Sequence, residues 1–302
     1  MKVTTDIERQ ILERYMRGES ACSISKTLNI SDQTVYRYLQ KNGIERRNKG
    51  SYRQHNLSIQ KLTDFNIPET QYWLGFIYAD GHLENKGSGG YWYGISLTLS
   101  IKDKKHLEKF KKFIGYDGRI IIHKVYSFGK EWKLCRLSLY SKKLVEILQL
   151  KGFSKKTIPK ELLVSPHFWR GVIDGDGWFM FIKEKRYRPK WNKIYEMYRL
   201  DLGLCGDDYT ILAFNNFVKT LVGKELIIRN KKQSKNGSVY LEGIISGKKA
   251  YEIGKKIYQN AKVYLERKKE IFNLAKAYYE RKEWKIKNFE RRIKNELERM
   301  VI

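Results

Sequence analysis

Two stretches of this chain restrict its fold more than any other feature. "YWLGFIYADG" begins at Tyr72 and "FWRGVIDGDG" at Phe168. Each is an apolar run that passes a glycine and stops at Asp-Gly. The final aspartates, Asp80 and Asp176, lie 96 residues apart (176 − 80). Gly75 and Ala79 are four apart in the first run, as are Gly171 and Gly175 in the second, and positions four apart share a helix face. Small residues along one face let two helix backbones approach closely. The runs therefore read as one intramolecular, nearly symmetric helix pair. Gly81 and Gly177 come directly after the helix ends, where a left-handed C-cap is expected.

The segments C-terminal to the two runs are also duplicated. After the first comes "GISLTLSIK", with Ile95, Leu97, Leu99 and Ile101 on one side and Ser96, Thr98, Ser100 and Lys102 on the other. Helix "DKKHLEKFKKFIG", strands "GRIIIHKVYSF" and "KLCRLSLYS" and helix "KKLVEILQLKG" complete the unit. The second run leads into strands "WFMFIKE" and "MYRLDLGLCG", helix "DDYTILAFNNFVKTLVG", strands "ELIIRNK" and "SVYLEGIIS" and helix "KKAYEIGKKIYQNA". Asn236-Gly237 predicts a type I′ turn in the last hairpin. The order α-β-β-α-β-β-α, read twice, makes an α+β fold. Each half is expected to be a four-stranded antiparallel sheet with helices on one face. The open faces carry Ser96, Thr98, Ser100, Lys102, Arg136 and Arg199, and together they form a saddle suited to a DNA groove.

Charge points to the same partner. Lys and Arg number 61 against 33 acids, a net charge of +28. That excess favours a polyanion, double-stranded DNA before an anionic membrane. No apolar run approaches the roughly 20 residues of a membrane span, and the N-terminus has no apolar signal segment. Cys22, Cys135 and Cys205 are scattered, which indicates a reducing interior and no zinc or disulfide framework. No small-molecule substrate is expected, and the chain reads as an intracellular, DNA-associated monomer, in the cytoplasm of a bacterial or phage-infected cell.

Residues 1–48 read as three helices. "DIERQILERYMRG" has Ile7, Ile11, Leu12 and Tyr15 at helical spacing and stops at Gly18. "SACSISKTL" turns at Asn29, and Ser31 caps "DQTVYRYLQKNG". "SISKTLNISDQTVYRYL" resembles the helix-turn-helix of the resolvase and invertase type, in which the second helix of the pair enters the major groove. Val35 and Leu39 would face the core, and Gln33, Thr34, Tyr36 and Arg37 the DNA. Residues 49–70 read as a polar linker, and Arg46 and Arg47 open a basic arm that suits a minor groove. Residues 71–165 and 166–302 are the two repeats, the second ending in a basic helix.

Carboxylates at helix C-termini are disfavoured by roughly 0.3–1 kcal/mol each. Asp80 and Asp176 would also repel one another, and nothing in folding asks for this. A divalent cation reverses the argument, because carboxylates, helix-end carbonyls, water and phosphates are the ligands Mg²⁺ prefers. The two stretches, "WLGFIYADG" and "WRGVIDGDG", resemble the LAGLIDADG motifs of homing endonucleases. One departure is Tyr78, where the motif often has Asp. The resemblance implies a monomeric two-motif DNA endonuclease that cuts both strands across the minor groove. Asp80 and Asp176 would be its catalytic metal ligands, with the carbonyls of Ala79 and Gly175 beside them. Mg²⁺ is the implied metal, with Mn²⁺ able to substitute. It also implies a lysine near the end of each repeat: Lys156 rather than Lys155 in "GFSKKTIP", and Lys268 rather than Lys269 in "YLERKKEIF". The other reading is a non-cleaving binder with the same fold, a transcription regulator or an intron RNA maturase. Intein splice ends are not recognisable, so an intron-borne or free-standing gene is expected.

Overall fold

The computed structural model describes residues 5–17, 19–46, 57–84, 94–127, 129–154, 157–231 and 240–280. The chain divides into two compact units, residues 1–56 and 57–302. The expected stop at Gly18, the Asn236-Gly237 turn and the segment beyond residue 280 lie outside the described residues.

The first unit holds α1 (Thr5–Met16), α2 (Ala21–Leu28) and α3 (Asp32–Lys41). Ile11, Tyr15, Ala21, Ile24, Val35 and Leu39 form its core, so each helix contributes an apolar face. The Ser20 hydroxyl accepts from the Ser23 amide, and that of Ser31 from the Thr34 amide. These bonds satisfy amides that a helix start leaves open. Between α2 and α3 the chain turns at Asn29, whose φ of 51° is left-handed.

The second unit opens with α4 (Gln60–Thr63) and α5 (Pro68–Asp80). The expected linker takes in α4 and the first turn of α5. Leu62 is fully buried, and Leu57, Ile59 and Phe65 pack against the main core. From residue 57 onward that stretch is therefore part of the fold. Its few apolar residues are interleaved with polar ones, which hides the packing from a periodicity argument. Pro68 occupies the first turn of α5, where a missing amide proton costs nothing.

The first repeat continues with β1 (Gly81–Glu84), β2 (Gly94–Ser100), α6 (Lys104–Phe113), β3 (Ile121–Ser127), β4 (Lys130–Tyr140) and α7 (Lys142–Leu150). After the short α8 (Lys160–Leu163), the second repeat runs through α9 (Pro166–Asp176), β5 (Gly177–Arg188), β6 (Lys193–Gly206), α10 (Asp208–Val222), β7 (Ile227–Lys231), β8 (Tyr240–Ser246) and α11 (Lys248–Tyr258). Last comes α12 (Glu266–Glu280). The expected order holds in both halves, with β1 added directly after the first motif. The sheets are antiparallel and topologically identical: β1-β2-β4-β3 and β5-β6-β8-β7. In the first, Ile95 pairs with Leu139, Leu97 with Leu137 and Leu99 with Cys135, all on the buried face. In the second, Leu202 pairs with Phe179 and Ile245.

Between the repeats, α5 and α9 cross at their glycines. A Cβ built on Gly75 would lie 2.0 Å from the Phe168 carbonyl oxygen, and one on Gly171 would lie 2.0 Å from that of Tyr72. The contact is self-complementary, because Phe168 and Gly171 are the 96-residue counterparts of Tyr72 and Gly75. At Gly175 the added atom would meet the Ala79 Cβ at 2.4 Å. The small-residue stripe is thus the interface, as its spacing implies.

The left-handed C-caps are not found. Gly81 has φ −81°, ψ 156° and Gly177 has φ −95°, ψ −178°, so each helix passes straight into a strand. Glycine is needed there for space: a Cβ on Gly81 would lie 2.3 Å from the Ile77 carbonyl oxygen, and one on Gly177 would lie 2.8 Å from the Ile173 Cα.

Gly75→Ala or Gly171→Ala forces the two backbones apart and should cost at least about 1–3 kcal/mol, the usual range for overpacking. Urea denaturation of each variant checks this through a lowered midpoint at unchanged slope.

Candidate functional site

The crossing brings the C-terminal ends of α5 and α9 side by side. Both Asp80 and Asp176 are exposed to solvent there. A Cβ on Gly175 would lie 3.4 Å from the Asp80 Oδ2, so the Asp80 carboxylate rests against the last turn of α9. The crowding of protein atoms, and next the Asp176 carboxylate, push Asp80 up to about 6.

The end of α9 carries a cation that the sequence placed close by and assigned another task. Lys268, in the first turn of α12, is buried. Its Nζ donates to the carbonyls of Ile173, Asp174 and Gly177 at 2.7 Å each and to that of Gly175 at 3.1 Å. Its three protons are shared among four carbonyls at and just past the end of α9, and that of Ile173 also accepts from the Gly177 amide. Burial lowers Lys268 to about 8, opposed mainly by Asp174. In this position it clamps the end of α9. Lys156 lies outside the described residues, as does its neighbour Lys155.

Around the clamp is a buried polar network that sequence reasoning missed. The Asp174 Oδ2 accepts from the Tyr72 hydroxyl and from the Leu265 amide, both at 2.8 Å. Burial pushes Asp174 up to about 6. Arg170 donates through Nε to the Val263 carbonyl and through Nη1 to that of Ile257, with its guanidinium carbon 5.0 Å from the Tyr72 ring centre. His106 meets the Tyr72 hydroxyl at 2.8 Å, and burial lowers it to about 3, so it is neutral. The one available signal was the pair of charged residues, Arg170 and Asp174, inside an otherwise apolar motif. Their counterparts in α5 are Leu74 and Tyr78. The Tyr78 hydroxyl instead reaches the Thr210 Oγ1 at 2.7 Å, across the repeat boundary.

The expected sheet contacts divide. Thr98 and Arg136 are exposed on the open face of the first sheet, paired in register. Ser100 ends β2, where its hydroxyl accepts from the Lys102 amide at 3.4 Å. Lys102 is exposed but stands in a 3-10 turn, because the strand stops before Ile101. Ser96 is buried, its hydroxyl accepting from Arg136 at 3.2 Å. Arg199 is held bidentately by Asp201 at 2.8 and 3.0 Å and by Glu184 at 2.9 Å, so its charge is neutralised internally. Sequence alternation placed these residues on a face but gave no cross-strand partners. It also passed over exposed aromatics toward the hairpin ends: Tyr126, Trp132, Tyr187 and Trp191. Arg188 lies over the Trp191 ring.

In the first unit, Gln33 and Arg37 are exposed on α3. Thr34 is half-buried, its hydroxyl 2.9 Å from that of Ser31. Tyr36 packs partly against the core, with the Arg46 guanidinium 4.2 Å from its ring centre. Arg47 lies outside the described residues.

No group of three metal-binding side chains occurs among the described residues. The donors at the helix ends are carboxylate and carbonyl oxygens alone. That set fits a hard cation that retains water and substrate oxygens.

No family model and no curated protein matches the chain. Among the solved structures that resemble it in part are three complexes with DNA. They are I-SmaMI bound to uncleaved DNA in the presence of calcium ions (TM-score 0.43, 15% identity, 70% of this chain and 90% of that one), the I-LtrWI LAGLIDADG homing endonuclease bound to target DNA (0.42, 13%, 72% and 92%) and the I-SmaMI LAGLIDADG homing endonuclease bound to cleaved DNA (0.40, 17%, 70% and 88%). Likeness at this level carries no weight for function, which has to rest on the chain's own geometry.

Because Asp80 binds its proton more tightly folded than unfolded, its contribution to stability falls as pH rises from about 4 through about 6. Asp80→Asn should therefore be more stable than the parent at pH 7.5, with the gap closing by pH 4. Denaturation midpoints at both pH values, without divalent ions, check the sign.

Proposed function

We propose that this chain is a site-specific DNA endonuclease of the homing type, acting as a monomer and cutting both strands of a long site. One observation carries the reading: two solvent-accessible carboxylates set side by side at the ends of paired motif helices. Folding alone disfavours that arrangement.

Asp80 and Asp176 would hold Mg²⁺, or Mn²⁺ in its place, with the Ala79 carbonyl beside them. The Gly175 carbonyl is shared with the Lys268 ammonium and is the weaker candidate. When bound, the metal supplies charge neutralisation at the scissile phosphates and an activated water. The protein's part is to fix where the carboxylates stand. The glycine contact sets the spacing of the helix ends, and Lys268 holds the end of α9. Lys268 is then a positioning residue. The open sheet faces, with Thr98, Arg136 and the hairpin aromatics, would lie along the groove. The first unit would add contacts through Gln33 and Arg37.

Cleavage of DNA carrying the gene's uninterrupted insertion site tests the reading. Asp80→Asn and Asp176→Asn should each abolish Mg²⁺-dependent double-strand cutting and leave binding within a fewfold of the parent. Parental cutting rates in either variant sink the assignment, and binding without cutting in the parent identifies a non-cleaving regulator or maturase instead.

The two units should divide the work. A protein lacking residues 1–56 should still cut at high concentration but bind more weakly, because a tethered second module acts at an effective concentration of about millimolar. Footprints of the full and shortened proteins on one site check this. The shortened protein should protect less DNA at one end, and its affinity should fall less steeply with salt.

A further inference from the structure

On the helical side of the second sheet, α10, α11 and α12 surround a cavity of about 730 Å³. Lys255 and Lys256 reach it from α11, and Lys269 and Lys276 from α12. Four ammonium groups thus border one space. The acid among the lining residues, Glu252, accepts from Lys249 at 2.9 Å on its own helix. Lys276 has a loose partner in Glu280 at 3.9 Å. Among the described residues, no carboxylate lies within ion-pair distance of Lys255, Lys256 or Lys269.

Two of these lysines have an ordinary explanation. Lys255 and Lys256 stand in the last turn of α11, where a cation suits the helix dipole. Lys269 has none. It stands in the first turn of α12, where the dipole opposes a cation. It is half-buried with its Nζ 4.0 Å from the Tyr258 ring centre, and burial and then Lys276 lower it to about 8. Four like charges around an open cavity nonetheless repel one another, and an anion seated among them reverses the sign of every pair.

We propose that this cavity binds a ligand carrying two or more phosphates, held by Lys255, Lys256, Lys269 and Lys276. Ammonium groups serve phosphate as point charges. The cavity volume lies within the usual range for small-ligand sites. The Tyr258 and Phe272 rings are buried and leave no free face for a base, so recognition is of the phosphates. Those phosphates come either from a free polyphosphate or from the backbone of a nucleic-acid strand that passes behind the sheet. The proposal does not rest on the endonuclease reading.

The test uses the full chain and a triple variant, Lys255→Ala, Lys256→Ala, Lys269→Met, the last keeping a long stem over Tyr258. Calorimetric titration with pyrophosphate at constant ionic strength should show one saturable site. The parent's melting temperature should rise by about 5 °C at a hundredfold excess over Kd. The triple variant should lose tenfold or more in affinity, and so should the mild Lys255→Ala, Lys256→Ala variant in part. Binding of a single-stranded oligonucleotide across a salt series separates the sources. Three lost phosphate contacts make the log–log slope shallower by about 2. Pyrophosphate binding that the variants lose assigns a free polyphosphate. A shallower slope without pyrophosphate binding assigns the nucleic-acid backbone. Equal pyrophosphate affinity in parent and variants, or no pyrophosphate binding with an unchanged slope, overturns the proposal.

Discussion

The second unit depends on one contact, the backbone-to-backbone approach of α5 and α9 at Gly75 and Gly171. It uses no large side chain at its centre, because none fits where a single Cβ would meet a carbonyl oxygen at 2.0 Å. Everything else is arranged about it. Trp73 and Trp169, counterparts 96 residues apart, are fully buried on either flank, each in a separate aromatic cluster. The sheets start directly from the helix ends, so the crossing also fixes where both sheets begin. Because the contact is self-complementary, one duplicated sequence can make both halves of it, as in an isologous dimer. Fusing the halves in one chain then frees each to diverge.

One divergence between the two motifs shapes the site. Where α5 has Leu74 and Tyr78, α9 has Arg170 and Asp174, both buried. Buried charges persist only when paired and hydrogen-bonded. Here the partners come from the end of α11 and the segment after it: carbonyls of Ile257 and Val263, the Leu265 amide and Lys268. The start of the chain's last described helix is thereby fastened to the end of α9. Removing one member would strand the others, at about 3–5 kcal/mol for a broken buried pair. The network therefore acts as a unit, and it makes the two helix ends unequal although their aspartates are equivalent.

How much of this was legible in the sequence depends on the range of the forces involved. Alternation and helical spacing are local, so the order of elements, the glycine interface and the buried Val35 and Leu39 could be read directly. The extended conformation of Gly81 and Gly177 could not, since a left-handed cap and a close approach both ask for glycine. Lys268 could be placed near the motif end but not assigned its task. A lysine on four carbonyls and a lysine on a phosphate look alike in sequence, and only the burial of its ammonium separates them. The ion pairs of Arg199 were hidden for the same reason, because Asp201 lies two residues away and Glu184 reaches it across the strand pair. Polar partners found through tertiary folding carry no periodic signature.

The charge distribution joins fold to function. The chain carries +28 overall, a charge that favours a polyanionic partner. At the junction of the two helices the sign reverses: two carboxylates and a helix end point outward together. In the proposed DNA complex, a phosphate backbone on the sheets would be repelled at that place without a cation. Lys268, committed to the carbonyls of Ile173 and Gly177, offsets the carboxylates' charge only in part, and burial and Asp176 still leave Asp80 raised to about 6. In the proposed complex, general attraction and local repulsion would meet at one point, and a divalent cation bound there would relieve both, by neutralising the aspartates and by adding a positive charge where the phosphates arrive.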